Sequence, residues 1–288
     1  MVVVGDVATD VVAVLSGVPA PGSDRPAAIS SRGGGAGANV AAHLARLGTP
    51  VTLAGCIGDD PAGAALAAEL SGAAVQLALR TVAGARTGTV VSLVEPGGQR
   101  SMLADRGANL RLRPDDLPPL APGHHLHLSG YTLLDPGPRA AGLAALERAD
   151  VAGCTVSLDP ASSGPLTRYG VDRWLADTAG ATVLLPNADE ARLLTGCADE
   201  AEAARTLAGR HLLVAVSLGA DGALWASGDA LVHRPAHRTD VVDTTGAGDA
   251  FAAGLLAAWL AAPGIDPADA LDAGLVCAAE VVRRPGAR

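Results

Sequence analysis

The sequence predicts an α/β fold: a mostly parallel central sheet flanked by helices on both faces, with a small β-sheet lid. Three observations point there. Short apolar strands alternate with helical stretches along most of the 288 residues, the pattern of a parallel sheet with crossover helices. Two stretches, about 10–32 and 85–104, break that alternation with β-like sequence of their own. Hydrophobic residues make up 49% of the chain and aromatics only 2%, so a large core is available and must be built from Ala, Val and Leu. One domain over 1–288 is expected, with the two β-like stretches as its lid segments.

Taken in order, residues 1–5 are a short apolar strand. Residues 11–15 continue extended until Pro19-Ala20-Pro21-Gly22 breaks the run. The glycine cluster 33–37 leads into a helix over 39–47, stopped by Gly48. A strand over 51–57 and a helix over 61–70 follow. Residues 87–94 and 100–103 flank Glu95-Pro96-Gly97-Gly98, which reads as a β-hairpin. Next come a strand over 125–128, a helix over 138–148 and a strand over 155–158. A strand over 181–185 precedes helices over 188–194 and 200–208, then a strand over 212–217. Asp221-Gly222 turns into a hairpin running to Val232, and helices over 247–262 and 267–283 close the chain.

The formal net charge is -9, which argues against nucleic acid or an anionic membrane as partner. All 21 basic residues are arginine. That removes the P-loop lysine, Schiff-base chemistry and any lysine general base. Nucleotide phosphate must then be met by backbone N–H groups, arginine or a metal. Cys56, Cys154, Cys197 and Cys277 are dispersed, without metal-ligand spacing, and read as reduced thiols of a cytoplasmic protein. The start, Met1-Val2-Val3-Val4-Gly5-Asp6, reads as a strand rather than a signal peptide. No uninterrupted apolar run is long enough to span a membrane.

Four features carry chemistry. Asp243-Thr244-Thr245-Gly246-Ala247-Gly248-Asp249-Ala250-Phe251 follows the apolar pair Val241-Val242. It reads as a strand or extended entry, a glycine turn and a helix starting near Gly246. Such a turn offers unpaired amides and a positive dipole end to an anion. Asp249 adds a carboxylate in the first helical turn, which suits phosphoryl transfer to a hydroxyl group: amides for the phosphate, a base for the proton. The plainer reading is a helix N-terminus with Asp complementing the dipole. Gly33-Gly34-Gly35-Ala36-Gly37-Ala38-Asn39 is either a strand-to-helix turn or a loop that lets backbone approach a small polyol, with Asn39 as donor and acceptor. As a dinucleotide fingerprint it fails, because residues 25–32 are not a buried strand. Pro186-Asn187-Ala188-Asp189-Glu190 has capping-box spacing, and the same pair could serve magnesium through its water shell. Ser217-Leu218-Gly219-Ala220-Asp221-Gly222 is a tight turn, or flat backbone for a nucleobase and ribose.

Together these four resemble the PfkB family of carbohydrate and nucleoside kinases, the ribokinase-like fold. Residues 34–47 are similar to its N-terminal glycine-rich signature and 243–256 to its C-terminal signature. Asn187…Glu190 resembles its N-x-x-E motif, and 218–222 its nucleotide-side turn. The resemblance runs from Val2 to about Gly286. It implies an ATP-dependent kinase for a small sugar or nucleoside. Asp249 would be the base, and Gly246, Ala247 and Gly248 the anion hole. Asp10, Gly34, Gly35 and Asn39 would hold the acceptor. Asn187, Ser217, Gly219 and Gly222 would line the nucleotide pocket. Glu190 would serve magnesium through water, and Asp243 and Thr245 a monovalent cation, expected to be potassium. The two lid segments would exclude water, and their open edges suggest a homodimer paired through the lid.

Departures bear on the acceptor. Ribokinases proper carry an Asn where this chain has Ala8, a Lys where it has Ala36, and a Glu near Ser129-Gly130-Tyr131. Losing three polar contacts weakens ribose recognition, each by about 1 kcal/mol or more. Room is left for a larger ligand, such as a nucleoside. Family members often continue past the position of Arg288, so the rim of the nucleotide pocket is expected to be incomplete. Two other classes remain to be tested: a catalytically silent binder, and a nicotinamide oxidoreductase.

Overall fold

The computed structural model describes residues 1–17, 22, 24–96, 100–284 and 286–288. Pro19, Ala20 and Pro21 of the expected break, and Gly97-Gly98 of the expected hairpin turn, lie outside the described residues.

The chain opens with strand β1 (Val2–Val4), then β2 (Ala8–Leu15) and β3 (Ala27–Gly34). Helix α1 (Ala36–Arg46), β4 (Thr52–Gly58), α2 (Pro61–Gly72) and β5 (Gln76–Val82) follow. Strands β6 (Gly88–Val94) and β7 (Arg100–Asp105) pair antiparallel, as the hairpin reading predicts. After two 3-10 turns come β8 (His125–Ser129), α3 (Tyr131–Leu134), α4 (Arg139–Val151) and β9 (Thr155–Asp159). Helices α5 (Ser163–Tyr169) and α6 (Val171–Asp177) lead to β10 (Val183–Leu184), α7 (Ala188–Thr195), α8 (Glu200–Ala208) and β11 (Leu213–Ser217). The hairpin β12 (Ala223–Ser227) and β13 (Ala230–Arg234) precedes α9 (Ala247–Ala261) and α10 (Pro267–Val281).

Nine strands form one sheet in the order β13-β12-β11-β10-β9-β8-β1-β4-β5. Its pairs are parallel from β5 through β11 and antiparallel only at the β11-β12-β13 end. Side chains alternate faces along each strand. Val2, Val4, Leu126, Leu128, Val214 and Val216 pack on the side of α4 to α8, against Ala141, Leu166, Trp174 and Leu207. Val3 and Leu53 face the other way onto Val40, Leu44 and Leu70 of α1 and α2. Leu213 and Ala215 meet Leu255, Leu256 and Leu271 of α9 and α10 there. A sheet buried on both faces needs the apolar runs that the sequence shows.

The remaining four strands form a separate sheet, order β3-β2-β6-β7. It is built from both stretches that broke the alternation. Of the two readings of Val241 and Val242, the strand is not realised: they form none and are 62% and 57% exposed. Their segment is tied down another way, because the Val242 and Asp243 amides both donate to the Val282 carbonyl, at 2.7 and 3.1 Å. No helix among the described residues is long and apolar enough to cross a membrane.

Candidate active site

Parallel strands all end on one edge of the sheet, and loops leaving that edge converge there. Strand β9 ends at Asp159, β10 runs into Asn187 and β11 ends at Ser217. These three, with Glu190, line a cleft of about 170 Å³. Its far wall is Gly246, Gly248, Asp249 and Phe251, from the start of α9.

The turn into α9 is built as a glycine turn must be. Gly246 caps the helix at φ 76°, the left-handed region that favours glycine. Ala247 N turns back to Thr244 O, and the helical ladder begins with Ala250 N donating to Gly246 O. The Gly248 and Asp249 amides lie between those two bonds, at the positive end of the dipole. A Cβ at Gly248 would meet nothing within 4 Å, so this turn opens to the cleft. Asp243 secures it from behind. Its Oδ1 accepts from Thr245 N and its Oδ2 from Gly286 N, each at 2.9 Å.

Asp249 reaches across to α1, where Asn39 Nδ2 donates to its Oδ2 at 2.7 Å. Burial pushes the Asp249 carboxyl up to about 7. The Asn39 bond and the Arg288 charge oppose that rise, while the Asp159 and Asp10 charges add to it. Asn39 is buried, and its Oδ1 has no hydrogen-bond partner. Asp10 sits on β2 opposite Arg32, and burial raises it to about 6, against the Arg288 charge. Gly34 makes room for it: a Cβ there would lie 2.2 Å from Asp10 Cγ.

Asn187 and Glu190 form a complete capping box. Asn187 Oδ1 accepts from Glu190 N and Asn187 N donates to Glu190 Oε2, both at 2.9 Å. The capping role read from the sequence is present, and the capped Glu190 also lines the cleft. It is 2% exposed. Burial raises its carboxyl above the usual range, and the neighbouring Asp159 raises it further. Burial raises Asp159 as well. Two neighbouring buried carboxyls, each raised by burial, form a pair whose ionised state a hard cation with its own water shell would stabilise. No group of three or more His, Cys, Asp or Glu with metal-holding geometry occurs among the described residues.

Asp249, Gly246, Gly248, Asn187, Glu190 and Ser217 thus share one cleft. Ala247 lies in the same turn, and Asn39 is joined to the cleft through Asp249. Asp10, Gly34 and Gly35 meet at the base of the small sheet, where Gly35 has φ 90°. Gly219 and Gly222 stand outside the cleft lining, in the turn after β11. Gly222 packs on the next hairpin, its absent Cβ only 1.9 Å from Arg234 O. Asp159 also lines the cleft, a residue to which the sequence reading assigned no role. His125 and His127 bond to Ser157 Oγ, and burial holds them neutral, at about 3 and 4.

The family model described as pfkB family carbohydrate kinase matches residues 1–288. A fructokinase of Klebsiella pneumoniae is 38% identical over 242 residues, 81% of this chain and 78% of that protein. The ATP-dependent ribose-1-phosphate kinase of Halopiger xanaduensis is 34% identical over 275 residues, 93% of this chain and 87% of that protein. Among solved structures, aminoimidazole riboside kinase from Salmonella enterica, complexed with aminoimidazole riboside and an ATP analog, matches with TM-score 0.80 at 31% identity. That match covers 99% of this chain and 94% of that one.

Proposed function

The chain belongs to the pfkB family of carbohydrate kinases, and on that premise we propose that it moves the γ-phosphoryl group of ATP to a primary hydroxyl of a small sugar or sugar-like acceptor. One observation carries this reading. A carboxyl held at about 7 by burial stands beside the open amides of the α9 turn. Such a group is half ionised near neutral pH and suits a general base.

Asp249 takes the proton from the acceptor hydroxyl as the Oδ2–Asn39 bond holds the carboxylate in place. The anion hole of Gly246, Ala247 and Gly248 receives the charge of the moving phosphoryl group, with the Gly248 amide open to it while the Ala247 amide is turned back to Thr244 O. Asp10, Gly34, Gly35 and Asn39 hold the acceptor, and the free Oδ1 of Asn39 accepts one of its hydroxyls. Asn187, Ser217, Gly219 and Gly222 border the nucleotide. Glu190, with Asp159 beside it, would hold magnesium through water, and bound magnesium supplies charge neutralisation at the phosphates. Asp243 and Thr245 would hold potassium beside the anion turn. Residues 1–288 act as one kinase domain, and the four-stranded sheet over about 10–32 and 85–104 is its lid. Dispersed free thiols fit a cytoplasmic setting.

A nucleoside acceptor is the second reading. Ser129 Oγ, at the end of β8, and Thr132 Oγ1, in α3, are buried without hydrogen-bond partners, and the match to aminoimidazole riboside kinase favours it. The test is ADP release from ATP and magnesium with fructose, ribose, ribose 1-phosphate, adenosine and aminoimidazole riboside. ADP release that depends on an acceptor is expected. ATP turnover with none of these acceptors contradicts the reading.

A further inference from the structure

Among the described residues, Arg288 is the basic side chain whose charge opposes the rise of both the Asp10 and the Asp249 carboxyl. Its side chain is 7% exposed. Nε, Nη1 and Nη2 are all buried, and none makes a hydrogen bond. The nearest carboxylate is Glu69 of α2, whose Oε1 lies 3.6 Å from Nε. An apolar side chain would fill this space without desolvating a guanidinium, so packing alone does not account for the residue.

Its surroundings show where the charge is directed. A Cβ at Gly33 would lie 2.0 Å from Arg288 Nη2 and 2.6 Å from Glu69 Oε2. Only a glycine on β3 leaves that space. The next residue, Gly34, leaves the space that Asp10 occupies on the opposite face of the strand. The segment carrying Arg288 is fixed on its other side. Gly286 N donates to Asp243 Oδ2, and His43 Nε2 donates to Ala287 O at 2.9 Å. Ala287 also packs on the anion turn, its Cβ 2.4 Å from where a Gly246 Cβ would stand. Residues 286–288 therefore bridge the α9 turn and the base of the lid strand.

We propose that Arg288 is a positioning residue for the acceptor: inserted beneath Gly33, it fixes the β3 end of the lid and holds Asp10 and Asn39's partner Asp249 in register for the acceptor hydroxyls. The inference rests on the acceptor site proposed above. The charged groups in play are Glu69, Asp10 and Asp249, whose charges act on Arg288, with the Asp243 charge acting on Asp10 and the Asp159 charge on Asp249.

The test uses Arg288→Met, Arg288→Lys and Gly33→Ala, with fructose, adenosine and ribose 1-phosphate as acceptors. Steady-state KM values are paired with calorimetric acceptor binding, which needs no turnover. Arg288→Met is expected to raise acceptor KM and Kd about 10-fold while the KM for ATP stays within about 2-fold. Arg288→Lys restores part of the loss. Gly33→Ala, which displaces an intact Arg288, gives the same loss, and the double variant is no worse than either single one. Unchanged acceptor KM and Kd in Arg288→Met, or an equal loss for ATP and acceptor, overturns the proposal. A loss confined to ribose 1-phosphate also overturns it, since Arg288 would then be an anion receptor. A wild-type protein that neither binds nor phosphorylates any acceptor overturns the kinase reading as well; normal wild-type turnover with an indifferent Arg288→Met sinks this inference alone.

Discussion

Asp249 is the residue on which the proposed chemistry turns, and its environment makes it testable by pH. Its carboxyl is raised to about 7, burial being the largest cause. A base must be ionised to work, so kcat/KM should fall tenfold per pH unit below about 7 and level off above it. A profile flat down to pH 5 contradicts that assignment. Stability runs the opposite way. A carboxyl raised in the folded state is favourable to folding below its unfolded value, and that advantage is lost as pH rises through the folded value. Asp249→Asn should therefore melt higher than wild type at pH 8, by about 2 °C or more, with the gap closing toward pH 4. Calorimetric scans at the two pH values check the sign. This residue was legible in the sequence because its turn is written in consecutive letters. Asp159 was not, because its partner Glu190 is brought beside it only by the parallel pairing of β9 and β10. Arg288 was invisible for the same reason: its relation to Gly33 and Glu69 exists only in three dimensions.

At the scale of elements, the turn into α9 and the start of α7 do different work with similar chemistry. Gly246→Ala places a Cβ in the left-handed region and 2.4 Å from Ala287 Cβ. It should cost about 1 kcal/mol or more in stability and lower kcat about 10-fold or more by turning the amides aside. Thermal melts and initial rates read both. Glu190→Gln should separate function from stability. Removing one of two buried, mutually repelling carboxyls stabilises the fold at neutral pH. The same change should raise the magnesium concentration for half-maximal rate about 10-fold. A variant that is less stable with unchanged magnesium dependence contradicts that role.

The elements that sequence resolved well are those with strong apolar runs or clear stops. Examples are β1, β8, the helix stopped by Gly48, and the long α9 and α10. Strand β5 was missed because it is an edge strand with Gln76, Arg80 and Thr81 among its residues and little burial. Helices α5 and α6 were missed because each has only seven residues and Gly170 divides them. At Val241-Val242 an apolar pair left strand and extended entry both open, and the strand is not formed because a bond to Val282 replaces any sheet partner.

For the whole molecule, the parallel sheet gathers the cleft residues at one edge, and the second sheet carries Asp10 toward it. The face of that sheet opposite Asp10 presents Ile29 and Leu103, 70% and 59% exposed. Apolar exposure on a sheet with open edges suits pairing with a second copy. Light scattering should give a dimer mass for wild type and a monomer mass for the double variant Ile29→Asp, Leu103→Asp. A monomeric wild type contradicts lid pairing and leaves the chemistry of the cleft untouched. Potassium should raise turnover through the Asp243 and Thr245 site; equal rates in potassium, sodium and choline contradict it.

Single-turnover phosphoryl transfer from ATP to a working acceptor, wild type against Asp249→Asn, addresses the base directly. The variant should transfer at least about 10²-fold more slowly while binding ATP as tightly as wild type. Equal transfer rates in the two proteins would contradict the account at its centre.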